Sequence, residues 1–299
     1  MADRTVLPTT AHQSSLGLGA SVLAAVGWGL AGILATLTSA PGLVITFYRM
    51  WLGVVLLILI VRLSGRRVTW ALIRACTAGG LLLCADMSFF FSAIKLTTVA
   101  VATVIGALQP ALVMVAAGPM LGERVSRARI GWTAIAISGV VTIVLGAGVP
   151  SGQQLSGDLL AVGALFAWSA YFIASKRARS RLDALDYTAG VTIVGAVAVT
   201  AVVLVSGESL TNVRIGDGLW IGLLAVVPGS AHLLMNWAHR HLAVSVSSVV
   251  GSASPIVAAI GGVIILNQPL SFIQVVGGII GVAAISVVAA HRIDDPVKR

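Results

Sequence analysis

Charge is what this sequence lacks. Asp, Glu, Lys and Arg make up 10% of its 299 residues, against roughly 25% in an average soluble domain. A soluble protein of this length still exposes much of its surface, and so little charge cannot cover it. Acids are the scarcer sign: 10 against 19 Lys and Arg, for a net charge of +9. Cysteine is nearly missing. Cys76 and Cys84 stand within one apolar stretch, eight residues apart, about 12 Å along a helix and beyond bridging distance. Long polar segments are missing too, since the longest connection between apolar stretches, near 207–216, cannot hold a soluble domain. These absences exclude a disulfide-stapled secreted domain, a disordered chain and a nucleic-acid-binding domain.

What is present is apolar: 58% of residues are hydrophobic and the mean hydropathy is +1.03. A membrane helix needs about 20 apolar residues. Ten such segments follow one another, near 16–37, 43–63, 71–93, 98–120, 129–147, 156–176, 187–206, 217–237, 243–266 and 272–290. The first is too long for a signal-peptide core, so no cleavable leader is expected. Placing both termini in the cytoplasm puts 16 of the 19 basic residues on that side. Lys95 and Arg214 fall outside, and Arg49 lies in the second span, toward its outer end, where its side chain is expected to snorkel. The excess of Lys and Arg inside is the orientation signal of a membrane protein and calls for no anionic partner.

The chain also repeats itself. In a frame shifted by 145 residues, 87–126 maps onto 232–271: Gly106 meets Gly251, Pro110 meets Pro255, Ser126 meets Ser271 and Lys95 meets Arg240. Apolar matches are cheap in such a sequence; Gly, Pro, Ser and basic matches in one ungapped frame are not. At a slightly different offset Trp28 meets Trp168. Five spans per half, an odd number, invert the second half relative to the first. The expectation is an all-α membrane protein of ten transmembrane helices in two inverted five-helix repeats. Residues 16–147 and 156–290 form the repeats, between cytoplasmic tails at 1–15 and 291–299. Inverted repeats are an architecture of alternating-access transporters, which place substrate near mid-membrane where the repeats meet.

The paired layout, a Trp in the first helix of each half, Pro110 and Pro255 in the fourth helices, and the stretch from Pro110 through Leu121-Gly122-Glu123 to Gly131 and Gly139 resemble the EamA family of the drug/metabolite transporter superfamily. The likeness spans about 16–290. The second half departs from it at Gln268, opposite Glu123. Within the family the chain is most similar to the YddG-type bacterial amino-acid exporters. The resemblance implies a carrier in the bacterial cytoplasmic (inner) membrane that exports amino acids or related metabolites and uses no cofactor.

Candidate site residues follow from polarity and register. Asp86 is the only acid deep within a predicted span, and His232 falls near the middle of the eighth. Such residues line pathways or bond to a neighbouring helix. Met87, Phe90 and Phe91 map onto His232, Met235 and Asn236, each set at i, i+3 and i+4 on one helix face. The two faces are expected to look at each other across the pseudo-symmetry axis, as a substrate cavity or as a packed interface. Trp28 sits among Gly27, Gly29 and Gly32, small neighbours that let helices approach closely. Trp168, Tyr171 and Phe172 make another i, i+3, i+4 face. The substrate-binding set is thus Trp28, Asp86, Met87, Phe90, Trp168, Tyr171, His232, Met235 and Asn236. Pro110 and Pro255 are the expected gating kinks, each releasing a helix carbonyl. Asp86 and His232 are the candidates for proton coupling, because burial displaces a side chain's protonation equilibrium; downhill facilitation is the alternative.

Other functions fit less well. A lipophilic-cation or multidrug exporter shares the aromatic, Met-rich faces. A phosphate-sugar carrier would need cations in the cavity. No G-x-x-x-x-G-K-[ST] motif supports ATP drive. An intramembrane enzyme finds no constellation: His239 and His241 lie two apart, off a common helix face, with no third metal ligand, and Ser230 and His232 fail as a catalytic pair by the same geometry.

Overall fold

The computed structural model describes residues 11–106, 108–109, 112, 131, 134–135, 138, 142, 152–179, 181–238, 254–268 and 270–290. These are helical throughout apart from short connections. In chain order the helices are α1 (Ala11–Thr36), α2 (Gly42–Leu63), α3 (Trp70–Ile94), α4 (Val99–Gly106), α5 (Gly152–Arg179), α6 (Ala184–Ser206), α7 (Asp217–Ala238), α8 (Ser254–Leu266) and α9 (Phe272–Ala290). Six of them, α1, α2, α3, α5, α6 and α7, are long and apolar enough to cross a membrane. Their outward faces carry what a soluble protein buries: Leu204, Val205, Ile264 and Phe272 are each more than two-thirds exposed. Apolar surface on this scale is a lipid-facing surface. The protein is a multi-pass membrane protein.

Local chemistry sets the helix ends. Thr69 accepts a hydrogen bond from Leu72 N at the start of α3, and Asp183 accepts one from Leu185 N at the start of α6; each satisfies a backbone donor left over at a helix N-terminus. Gly207 closes α6 in the left-handed region at φ 71°, a conformation that costs glycine least.

Hydrogen bonds between the connections define two ends of the bundle. At one end Lys95 Nζ donates to Ala35 O and Thr38 O, Ser39 donates to Asp217, Thr97 Oγ1 donates to Asp158 Oδ1 and Val99 N donates to Gln268 Oε1. The 207–216 connection lies over this end. Tyr48 Oη holds its Leu210 carbonyl at 3.0 Å, and Leu210 packs against both large core clusters. At the other end Arg66 pairs with Asp183 and Asp186 at 3.0 and 3.2 Å. α1 therefore finishes at the end where α5 begins, so the two helices that carry the matching Trp28 and Trp168 run in opposite directions.

The helices do not sort by sequence half. α1 packs chiefly on α7 and α8, while α3 packs chiefly on α5 and α6, with α2 also on α6. Each large core is correspondingly mixed. Ile33, Val44, Phe91 and Ile94 share a cluster with Leu224 and Ala258, and Met50, Val54 and Cys76 share one with Tyr187, Val191 and Val199. The seam of interest runs between an α1–α7–α8 group and an α2–α3–α5–α6 group. Cys76 and Cys84 are both buried and free.

Candidate functional site

Glycine brings α1 against its neighbours where Trp28 projects. A methyl group added at Gly29 would sit 2.7 Å from Ser254 O, and one at Gly27 would sit 3.1 Å from the Ala231 side chain. With α1 and α7 this close, the Trp28 and His232 rings meet edge to face, centroids 5.2 Å apart at 63°. Trp168 approaches the same imidazole across the seam, at 6.0 Å and 63°. Tyr171, one turn along α5, stacks on Trp168 at 5.1 Å and 19°, and reaches Tyr187 of α6 at 6.4 Å. The imidazole of His232 thus joins two indoles from different helix groups. Offset and edge-to-face pairs of this kind are favourable ring geometries. Trp28 Nε1–H is buried with no hydrogen-bond partner among the described residues.

Next along the seam is Arg49, on α2. It does not snorkel. Only 9% of it is exposed, and its Nε donates to Leu224 O of α7 at 3.1 Å. That carbonyl is available because Pro228 lies inside α7, and proline, with no N–H, cannot bond to the carbonyl four residues earlier. Arg49 Nη1 meets Met87 Sδ at 2.8 Å, and the guanidinium carbon stands 5.3 Å from the Phe91 ring centroid. A charge in an apolar interior is expensive unless it is compensated. Here a carbonyl, a thioether and an aromatic face share that task.

Of the residues singled out from sequence, the structure gathers Trp28, Trp168, Tyr171 and His232 into one ring cluster. Met87 is joined to Arg49, Asp86 precedes it on α3, and Phe90 lies edge to face on Phe91 at 5.5 Å. Among the described residues Arg49 links α3 to α7, through Met87 and the Leu224 carbonyl. Met235 sits apart, packed with Ala24, Ala231 and Trp28. Asn236 is helical, but its side chain lies outside the described residues, as does Pro110. Pro255 is helical, in α8, and the chain leading into it lies outside the described residues. Lys95, like Arg49 expected near an outer end, caps α3 and closes the last turn of α1.

Sequence reasoning missed the role of Arg49, and the signal was Pro228, which marks Leu224 O as a carbonyl in need of a donor. It also passed over Asp158 and Asp217. Asp158 is 2% exposed, takes the Thr97 hydroxyl at 2.5 Å, and has no partner for Oδ2 among the described residues.

Membrane-crossing helices, first helices of opposite direction and a charged, aromatic cluster between helix groups together define a membrane carrier. The chain belongs to the EamA-like transporter family, whose model matches residues 15–145 and again 155–290. It is thus a membrane transporter of small molecules, built from two copies of one repeat. The fold is similar to that of a solved structure described only as "Crystal structure of protein", with a TM-score of 0.66 and 21% identity over 94% of this chain and 98% of that one. No curated protein matches the chain.

Proposed function

We propose that this protein exports neutral amino acids, aromatic ones among them, or closely related metabolites across a bacterial cytoplasmic membrane by alternating access. The observation that carries the reading is His232 set between Trp28 and Trp168 where the two helix groups meet, with the buried Arg49 bonded to the same helix at Leu224 O. Aromatic faces suit an apolar side chain, and a cation with a nearby carboxylate suits a charged backbone. Ten spans in two inverted repeats, with the 16 inner basic residues and both termini in the cytoplasm, complete the proposal. The 37–41 and 207–216 connections then face outward. Asp86 and His232, ionisable groups within membrane-crossing helices, are the candidate proton-coupling groups. A lipophilic-cation exporter has the same aromatic faces in its favour and the buried guanidinium against it.

Flux of labelled amino acids through the purified protein in liposomes, with and without a pH gradient, tests the proposal. Saturable flux of neutral amino acids supports it, and flux of lipophilic cations alone overturns it. Asp86→Asn keeps the shape of the side chain and removes its titration. Loss of gradient-driven flux with substrate exchange retained assigns Asp86 to coupling. Wild-type behaviour between pH 6 and 8 leaves it as a hydrogen-bonding group only.

A further inference from the structure

The guanidinium of Arg49 is held by weak partners. A guanidinium carries five N–H donors in a planar fork. One of these goes to the Leu224 carbonyl and one to the thioether of Met87, a poor acceptor for a cation. Asp86 is the residue before Met87 on α3 and makes no hydrogen bond to Arg49 among the described residues. Among the described residues Arg49 is thus fixed by Leu224 O and by the Phe91 ring, while its Nη1 meets a thioether, a poorer acceptor than a carboxylate. Two-point pairing with a carboxylate is the geometry in which arginine binds most strongly.

We propose that Arg49 is the anchor for the carboxylate of a zwitterionic substrate, and that Asp86 receives the substrate's ammonium when the carboxylate takes its place beside the guanidinium. The unpartnered Trp28 Nε1–H and the ring faces of Trp168 and Tyr171 lie along the same seam, on the side where the apolar part of such a molecule would extend. Opposite charges on neighbouring helices select a molecule carrying both. An amine without a carboxylate meets the repulsion of Arg49, and an acid without an amine leaves Asp86 uncompensated. This inference rests on the amino-acid reading above and specifies how that substrate would be held.

The test uses the full-length protein in nanodiscs and matched ligand series: L-phenylalanine, L-phenylalaninamide and 3-phenylpropionate, then L-leucine, L-leucinamide and 4-methylpentanoate. Binding is read by calorimetry. Each amino acid should bind at least about tenfold more tightly than its amide, the scale of a lost charge-assisted pair. Arg49→Gln should remove that advantage, weakening the amino acid and, with the repulsion gone, binding the amide more tightly than wild type does, and Asp86→Asn should weaken the amino acid but not the corresponding acid. Amino acids and amides that bind wild type equally well overturn the proposal while leaving amino-acid transport standing. Should Arg49→Gln not fold, the wild-type ligand series decides alone. Arg49-dependent binding of the simple acids without binding of the amino acids supports the carboxylate anchor and removes the amino-acid reading.

Discussion

Lys95 closes the last turn of α1 at Thr38. Its Nζ lies 2.7 Å from Thr38 O, 3.3 Å from Thr38 Oγ1 and 2.8 Å from Ala35 O. A cation at a helix C-terminus satisfies carbonyls that have no donor of their own and complements the helix dipole. Because Lys95 ends α3 and Thr38 follows α1, this contact also ties the two helix groups together above the site.

Lys95→Met keeps much of the side chain's length and deletes those hydrogen bonds. Hydrogen bonds to a charged group contribute about 1.5–3 kcal/mol, so the end that carries the 37–41 connection should open about tenfold more often. A cysteine at position 87, in a background with Cys76 and Cys84 replaced by Ser, reads this out. An impermeant thiol reagent should modify it about tenfold faster from that end in the Lys95→Met variant. An unchanged rate removes Lys95 from the closure.

Trp168→Ala should weaken substrate binding about three- to tenfold and lower transport, in keeping with the value of an aromatic pair beyond its buried area. Trp168→Phe should lose less, since a ring can still stack near Tyr171. Binding and flux measured side by side separate a lost contact from a misfolded protein. Full wild-type transport in Trp168→Ala would place the substrate elsewhere.

Two glycine substitutions should have opposite signs. A methyl group at Gly42 would fall 2.6 Å from Phe91 C and closer still to the backbone of Ser92. Overpacking of this sort costs about 1–3 kcal/mol, so Gly42→Ala should lower the melting temperature. Gly222, within α7, has nothing within 4 Å of the added atom, and replacing it with Ala should stabilise by roughly 0.5–1 kcal/mol. Thermal unfolding of both variants in one detergent makes the comparison.

The membrane orientation has its own check. Gln153→Cys lies in the first turn of α5 and Arg179→Cys at its last residue. In intact cells an impermeant reagent should label position 153, and position 179 only after permeabilisation. The reverse pattern would invert the protein in the membrane.

Much of the fold was legible because its signals are local. The apolar runs place α2 at 43–63 and α6 at 187–206, and the structure places them at Gly42–Leu63 and Ala184–Ser206. The glycines around Trp28 do mark close approach, to Ala231, Ser254 and Val99. What could not be read was which helices become partners. The register turns the faces of α3 and α7 toward each other, whereas α7 packs chiefly on α1 and α3 on α5 and α6. Membrane helices associate through small residues and polar groups that are chemically alike on many faces, so register alone does not choose between partners. Arg49 shows the same limit at one residue. Seven positions into an apolar run it reads as a snorkelling side chain, and only the fold brings Pro228 and the carbonyl it frees beside it.

Tyr48 and Arg49 are consecutive on α2, and each grips a main-chain carbonyl of a later segment: Tyr48 takes Leu210 O in the connection that covers one end, Arg49 takes Leu224 O beside the site. A displacement of α2 that releases one strains the other. One displacement of α2 is therefore felt both in the 207–216 connection and at the Leu224 carbonyl, through two neighbouring side chains on one helical turn.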